Sequence, residues 1–175
     1  DMPVDNLFTT PIFARYIRKN IKSKNLICVS PDAGAIERTR GLATKVNADL
    51  AIIDKRRPEP GKSKVMNIIG NVKGKDCMII DDIIDSGGTI INAADALIKK
   101  GARSVHVFIT HAVLSGDAIN KIQKSKIKKL IITDTIDNSK KIKKASKIEV
   151  LSIAQLMAEA IKRISNSTSV SSLFN

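Results

Sequence analysis

The chain has 175 residues, 43% of them hydrophobic, enough for one sizeable core and too few for two full domains, so a single domain over residues 1–175 is expected. Thirty Lys and Arg against seventeen Asp and Glu leave a formal charge of +13, yet four Phe, one Tyr and no Trp offer little for bases to stack on. Nucleic acid is therefore set aside as a partner, while a phosphate-rich small substrate would gain from the same positive field. No run approaches the roughly 18 to 20 apolar residues of a membrane span and no charged flank precedes an apolar signal segment, so no membrane partner and a cytoplasmic location are expected.

The opening DMPVDNL lacks an initiator Met and runs into a helix-like TTPIFARYIRKNI, so the chain reads as cut from something longer. Short apolar runs follow: LICVS at 26–30, DLAIID at 49–54, CMII at 77–80, VHVFIT at 105–110 and LIIT at 130–133. Their alternation with helical patterns predicts βαβ crossovers and a mostly parallel sheet with helices over it. Cys28 and Cys77 each sit inside such a run and read as structural thiols. Ile90, Ala93, Ala94, Leu97 and Ile98 share one helical face that ends at Gly101. The lysine-rich stretch 121–147 reads as solvated helix and loop surface. Ile153, Leu156, Met157, Ala160, Ile161 and Ile164 repeat the helical spacing, and both apolar faces are expected to cover the sheet. The last residues, SNSTSVSSLFN, form a polar tail, and no internal repeat is visible.

The run IIDDIIDSGGTI at 79–90 carries the chemistry. Ligands of open α/β sheets sit beyond the carboxyl ends of the strands, where Asp81 and Asp82 are expected. Their oxygens suit the vicinal hydroxyls of a sugar, or Mg²⁺ reached through water. Gly87 and Gly88 let consecutive N–H groups point into one cavity, Ser86 and Thr89 add hydroxyls, and the helix starting near Thr89 adds its positive end. By itself such a string is more often a plain βα turn with an Asp cap. G-x-G-x-x-G is absent, and GKS at 61–63 is no P-loop because Arg56 stands where its first glycine is needed.

That string resembles the phosphoribosyl pyrophosphate signature shared by type I phosphoribosyltransferases and ribose-phosphate pyrophosphokinase. SPDAG at 30–34, DKRRPEP at 54–60, VMNIIGNVKGKDC at 65–77, THAVLSGDAI at 110–119, TDTI at 133–136 and SVSSLF at 169–174 are similar to the synthetase, in its order and over nearly the whole chain. The resemblance implies an α/β fold of type I phosphoribosyltransferase kind, a three-layer mostly parallel sheet with helices on both faces. It also implies the C-terminal half of an enzyme that moves the β,γ-diphosphate of ATP to the C1 hydroxyl of ribose 5-phosphate, with Mg²⁺ as cofactor. Under it Asp81 and Asp82 hold the ribose hydroxyls, and Asp85, Ser86, Gly87, Gly88 and Thr89 wrap the 5-phosphate. Asp32 matches a magnesium-binding aspartate, which otherwise reads as the cap of the helix starting near Ala35. Lys55 and Arg57 match the basic pair of a mobile catalytic loop, whose Pro58, Pro60 and Gly61 exclude regular structure. Ser169 and Ser171 match a regulatory site for the effectors phosphate and ADP, in a family that assembles as dimers building hexamers, so a homo-oligomer is expected.

Glu59, Gly61, Lys64 and Ala35 depart from the bacterial pattern, and Glu59 puts a carboxylate beside the expected ATP phosphates. Two other readings follow: a non-catalytic synthetase homologue that regulates an active partner, and a phosphoribosyltransferase, which the missing hood segment for a base argues against. Of the two histidines, His106 reads as packed within a strand and His111 as an ordinary family position; the family's catalytic histidine and adenine seat belong to the other half.

Overall fold

In the computed structural model, residues 4–56 and 65–174 are described. They build a seven-stranded sheet in the order β3-β2-β1-β4-β5-β6-β7. The strands are β1 Leu26–Ser30, β2 Asp49–Arg56, β3 Val65–Ile69, β4 Asp76–Ile84, β5 Ser104–Ala112, β6 Lys129–Thr133 and β7 Ile148–Leu151. The helices are α1 Thr10–Asn20, α2 Ile36–Val46, α3 Gly88–Lys99, α4 Ala118–Lys124 and α5 Ala154–Ser165. Every pairing is parallel except that of β2 with β3, an antiparallel edge on an otherwise parallel sheet.

The layers follow from strand alternation. Ile27 and Val29 of β1, Cys77 and Ile79 of β4, and Val105, Val107 and Ile109 of β5 meet Ile90, Ala93, Ala94 and Leu97 of α3 and Ile122 of α4. The residues between them, Cys28, Met78, Ile80 and Phe108, meet Phe13 and Ile17 of α1 and Leu42 of α2. The central strands β1, β4 and β5 are thus buried on both faces, which is why they read as unbroken apolar runs rather than alternating ones. The expected three-layer α/β arrangement is present. Cys28 and Cys77 are buried free thiols, and burial pushes both up to about 12, so neither is a ready nucleophile.

One expectation fails, and two strands add to those expected. Strands β3 and β7 are additional to the five apolar runs; both are sheet edges, where half of each strand faces solvent and the apolar signal thins. The helix near the chain end exists as α5, but its apolar face does not cover the sheet. Ala160 is its one buried residue, while Met157, Ile161 and Ile164 stand 40%, 62% and 58% exposed. The reason is topological: α5 follows β7, the last strand of the sheet, and α1 to α4 already occupy the two faces.

Candidate functional site

The acidic pair lies farther inside the sheet than the sequence implies. β4 does not stop at Ile80 but continues to Ile84, because β5 is equally long and keeps pairing with it: Asp81 opposes Ile109, Ile83 opposes His111, and Ile84 opposes Ala112. Asp81 and Asp82 are therefore carried on the final turns of the strand ladder, not on a loop beyond it. A strand is a more rigid support than a loop, so both carboxylates are held in place before any ligand arrives. Ile84 is buried and its carbonyl accepts from the Val113 N–H at 2.9 Å, which anchors the point where the chain leaves the sheet.

From there the exposed Asp85 and Ser86 lead to Gly87, whose φ of +79° lies in the left-handed region. Gly87 is the N-cap of α3 and supplies no side chain to it, and the first turn of α3 holds no acidic residue. The leading N–H groups of this 12-residue helix accordingly point out of the sheet with neither a side-chain cap nor a local negative charge to compensate them. Thr89 is exposed at the same turn. Asp85, Ser86, Gly87, Gly88 and Thr89 thus form the turn from β4 into α3, just after the acidic pair.

A residue that sequence reasoning missed binds the pair together. Arg38, in the first turn of α2, places Nη1 2.9 Å from Asp82 Oδ1 and 3.3 Å from Asp81 Oδ1. β1 lies beside β4, so the helix that follows β1 begins next to the carboxylates. The sequence held a faint signal: a cation at the start of a helix opposes the helix dipole and asks for another reason to be there.

These charges divide the pair. Burial, with Asp82 and Asp32 nearby, pushes Asp81 up to about 6, whereas the closer contact with Arg38 holds the more exposed Asp82 below the usual carboxylate range. The Asp82 N–H also donates to Asp81 Oδ1 at 2.9 Å.

Asp32 shows its capping role directly, accepting from the Ala35 N–H at 3.2 Å, and its charge also reaches Asp81. Among the described residues no three His, Cys, Asp or Glu side chains gather as a ready metal cage. A hard cation would relieve what raises Asp81, its burial first and then the charges of Asp82 and Asp32, and carboxylate oxygens are natural ligands of such an ion. A cavity of about 310 Å³ opens beside the pair, lined by Arg38, Asp81, Asp82, Thr110, His111 and Phe8 among others. His111 stands at its rim, with Nδ1 3.1 Å from Thr135 Oγ1.

Other sequence candidates lie apart. Lys55 is near the end of β2 opposite Met66 of β3, and β1 separates β2 from β4. Arg57, with Glu59, Gly61 and Lys64, lies outside the described residues. Ser169 and Ser171 are far along the chain from the acidic pair, their hydroxyls 2.9 Å apart. The tail that carries them is not a loose end: Arg163 donates to the Ser169 carbonyl at 2.9 Å, Val170 is buried, and the Phe174 ring meets Phe8 edge-on at 5.3 Å. Phe8 and Phe174 both line a neighbouring cleft together with Arg38, so the tail ends close to the acidic pair.

Comparison with known proteins bears on the family and the fold. Residues 57–175 match the family described as phosphoribosyl synthetase-associated domain. The chain is 53% identical over its whole length to a ribose-phosphate pyrophosphokinase of Brucella melitensis, covering 56% of that protein. It is 54% identical to one of Mesorhizobium japonicum, covering 57%. The crystal structure of phosphoribosylpyrophosphate synthetase from Mycobacterium smegmatis matches 95% of this chain and 54% of its own, with a TM-score of 0.84 and 32% identity. A hypoxanthine-guanine phosphoribosyltransferase from Bacillus anthracis, at TM-score 0.50 and 18% identity over 59% of this chain and 64% of its own, shares the fold alone. The chain spans about half the length of the curated relatives it matches, and it belongs to the phosphoribosyl synthetase-associated domain family.

Proposed function

We propose that this chain is the sugar-phosphate half, the C-terminal one, of a ribose-phosphate diphosphokinase that transfers the β,γ-diphosphate of ATP to the C1 hydroxyl of ribose 5-phosphate, giving phosphoribosyl pyrophosphate and AMP. One observation carries the reading: in a member of this family, two strand-borne carboxylates stand immediately before an uncapped helix N-terminus that opens on a left-handed glycine. Carboxylates accept from a diol and bare N–H groups donate to a phosphate, and a pentose 5-phosphate offers both groups on one small ring.

Asp81 and Asp82 take the ribose hydroxyls, and Asp85 to Thr89 enclose the 5-phosphate. Arg38 fixes the carboxylates so that the sugar is oriented rather than merely caught. Asp32 would hold the magnesium ion, whose contribution when bound is neutralisation of phosphate charge. Lys55 and Arg57 supply cations to the diphosphate in flight, the arginine as a fork and the lysine as a point charge. Adenine binding falls to the half of the protein that this chain does not include. Ser169 and Ser171 belong to a regulatory site for phosphate and ADP at a contact between copies of the chain.

Calorimetric titration of ribose 5-phosphate with Mg²⁺ present tests the reading, run beside a variant carrying Asp81→Ala and Asp82→Ala. Saturable binding to the parent and none to the variant is expected. A folded parent that does not bind, or a variant that binds equally well, would remove the assigned roles of the acidic pair.

A further inference from the structure

At the opposite end of the sheet, where β4 and β5 begin and α1 ends, lies a cleft of about 540 Å³ that the proposed reaction does not use. Its floor is made by Asp76, Ser104 and His106 and its rim by Lys22, Arg103 and Lys128. We propose that this cleft is a second oxyanion site, in which a phosphate-type dianion lies between Lys22, Lys128 and Arg103 and accepts a hydrogen bond from His106.

Charge accounting motivates the site. Arg103 and Asp76 neutralise one another: Arg103 Nε donates to Asp76 Oδ1 at 2.9 Å and Nη2 to the other oxygen, while Ser104 Oγ donates to Oδ1 at 2.7 Å. Glu149, the other acid near His106, is already taken by Lys129 and by the Tyr16 hydroxyl. That leaves Lys22 and Lys128 facing the cleft with no acidic partner among the described residues. The α1 C-terminus, which would repel an anion, is offset by Arg18 and Lys19 in its last turn and by Asn20 Nδ2, which donates to the Tyr16 carbonyl at 2.9 Å.

His106 supplies an independent observation. Its side chain lines the cleft, the residue is only 7% exposed, and Nδ1 has no hydrogen-bond partner. A buried imidazole without a partner is costly unless something else completes its hydrogen bonds. Burial and the neighbouring Lys128 hold it down to about 4, so at neutral pH it is uncharged. A dianion in the cleft reverses that balance and favours the imidazolium. Of the groups facing His106, Lys128 and Lys129 oppose the added charge while Asp76 and Glu149 favour it. Binding therefore takes up a proton and strengthens as pH falls from neutrality toward about 5.

Sulfate is the first probe, because its charge is constant over that range whereas phosphate titrates. NMR of the two histidine side chains in the 175-residue chain is followed during sulfate addition, with chloride holding ionic strength fixed. A saturable shift of His106, with its titration midpoint moved upward from about 4, is expected. Exchanging both exposed lysines, Lys22→Ala with Lys128→Ala, is expected to weaken binding roughly tenfold or more, and a single Lys128→Gln variant serves if the double one loses its folded spectrum. His111, at the rim of the other cavity, reports separately on the sugar-phosphate end of the sheet. Inorganic phosphate and AMP as further arms distinguish a free anion from the phosphoryl group of a nucleotide. A His106 signal that stays still while His111 or the loop amides move, or a shift that survives loss of both lysines, overturns the proposal.

Discussion

Replacing Asp81 with Asn separates what the site costs the fold from what it does for the ligand. Asp81 titrates at about 6 against an ordinary 3.8, so keeping it ionised at neutral pH costs up to about 3 kcal/mol, two pH units at roughly 1.4 kcal/mol each. Part of that belongs to its coupling with Asp82, leaving about 1–2 kcal/mol to be recovered by removing the charge. Asn has nearly the same shape, and its Oδ1 can still accept from Arg38 and from the Asp82 N–H, so no cavity is opened. The sign follows from the raised value. Between pH 6 and 4 the folded parent binds a proton that the unfolded chain releases, so the parent gains stability as pH falls through that window. Urea unfolding at a series of pH values is expected to show Asp81→Asn more stable than the parent at pH 7, with the advantage shrinking toward zero near pH 4, while ribose 5-phosphate binding is lost. A variant less stable at pH 7, or a difference that does not change with pH, would refute the electrostatic account of the site.

Three further outcomes follow from the geometry. Gly87→Ala forces a side chain to φ +79° and is expected to cost about 1 kcal/mol by denaturant unfolding, together with a several-fold loss of ribose 5-phosphate affinity by calorimetry. Asp76→Asn breaks the ion pair between a nearly buried carboxylate and the half-exposed Arg103 and is expected to cost about 1–2 kcal/mol. Because Asp76 is held well below the usual carboxylate range, its contribution is complete above about pH 4 and fades as pH falls further, so the difference between parent and variant should narrow in acid unfolding curves. Phe174→Ala removes the edge-on contact with Phe8 and is expected to cost only about 0.5–1.5 kcal/mol globally while making the tail cleavable by limited proteolysis faster than in the parent.

Much of the architecture could be read along the chain. β1, β4 and β5 are buried on both faces, so their runs are continuously apolar and announce themselves, and α3 shows its stripe because it packs on the sheet along its length. The composition of 79–90 also announced a strand, a glycine turn and a helix start, which the structure shows as β4, Gly87 and α3. Edges behaved differently. The four-residue β7, with Glu149 in its middle, lacks an apolar run, and α5 carries a helical stripe that the described residues leave mostly uncovered.

Residue order by itself determined the α/β class, the buried strands, the thiols that stay free and the place of the glycine turn before α3, because each rests on local pattern or on a backbone conformation only certain residues adopt. Tertiary structure alone decided three matters. It extended β4 through the acidic pair, because β5 was there to pair with it. It brought Arg38 onto both carboxylates, because β1 lies against β4 and the next helix therefore starts beside them. It also gave His106 and two lysines a common cleft, because contacts across strands depend on sheet order, which neighbours in sequence do not specify.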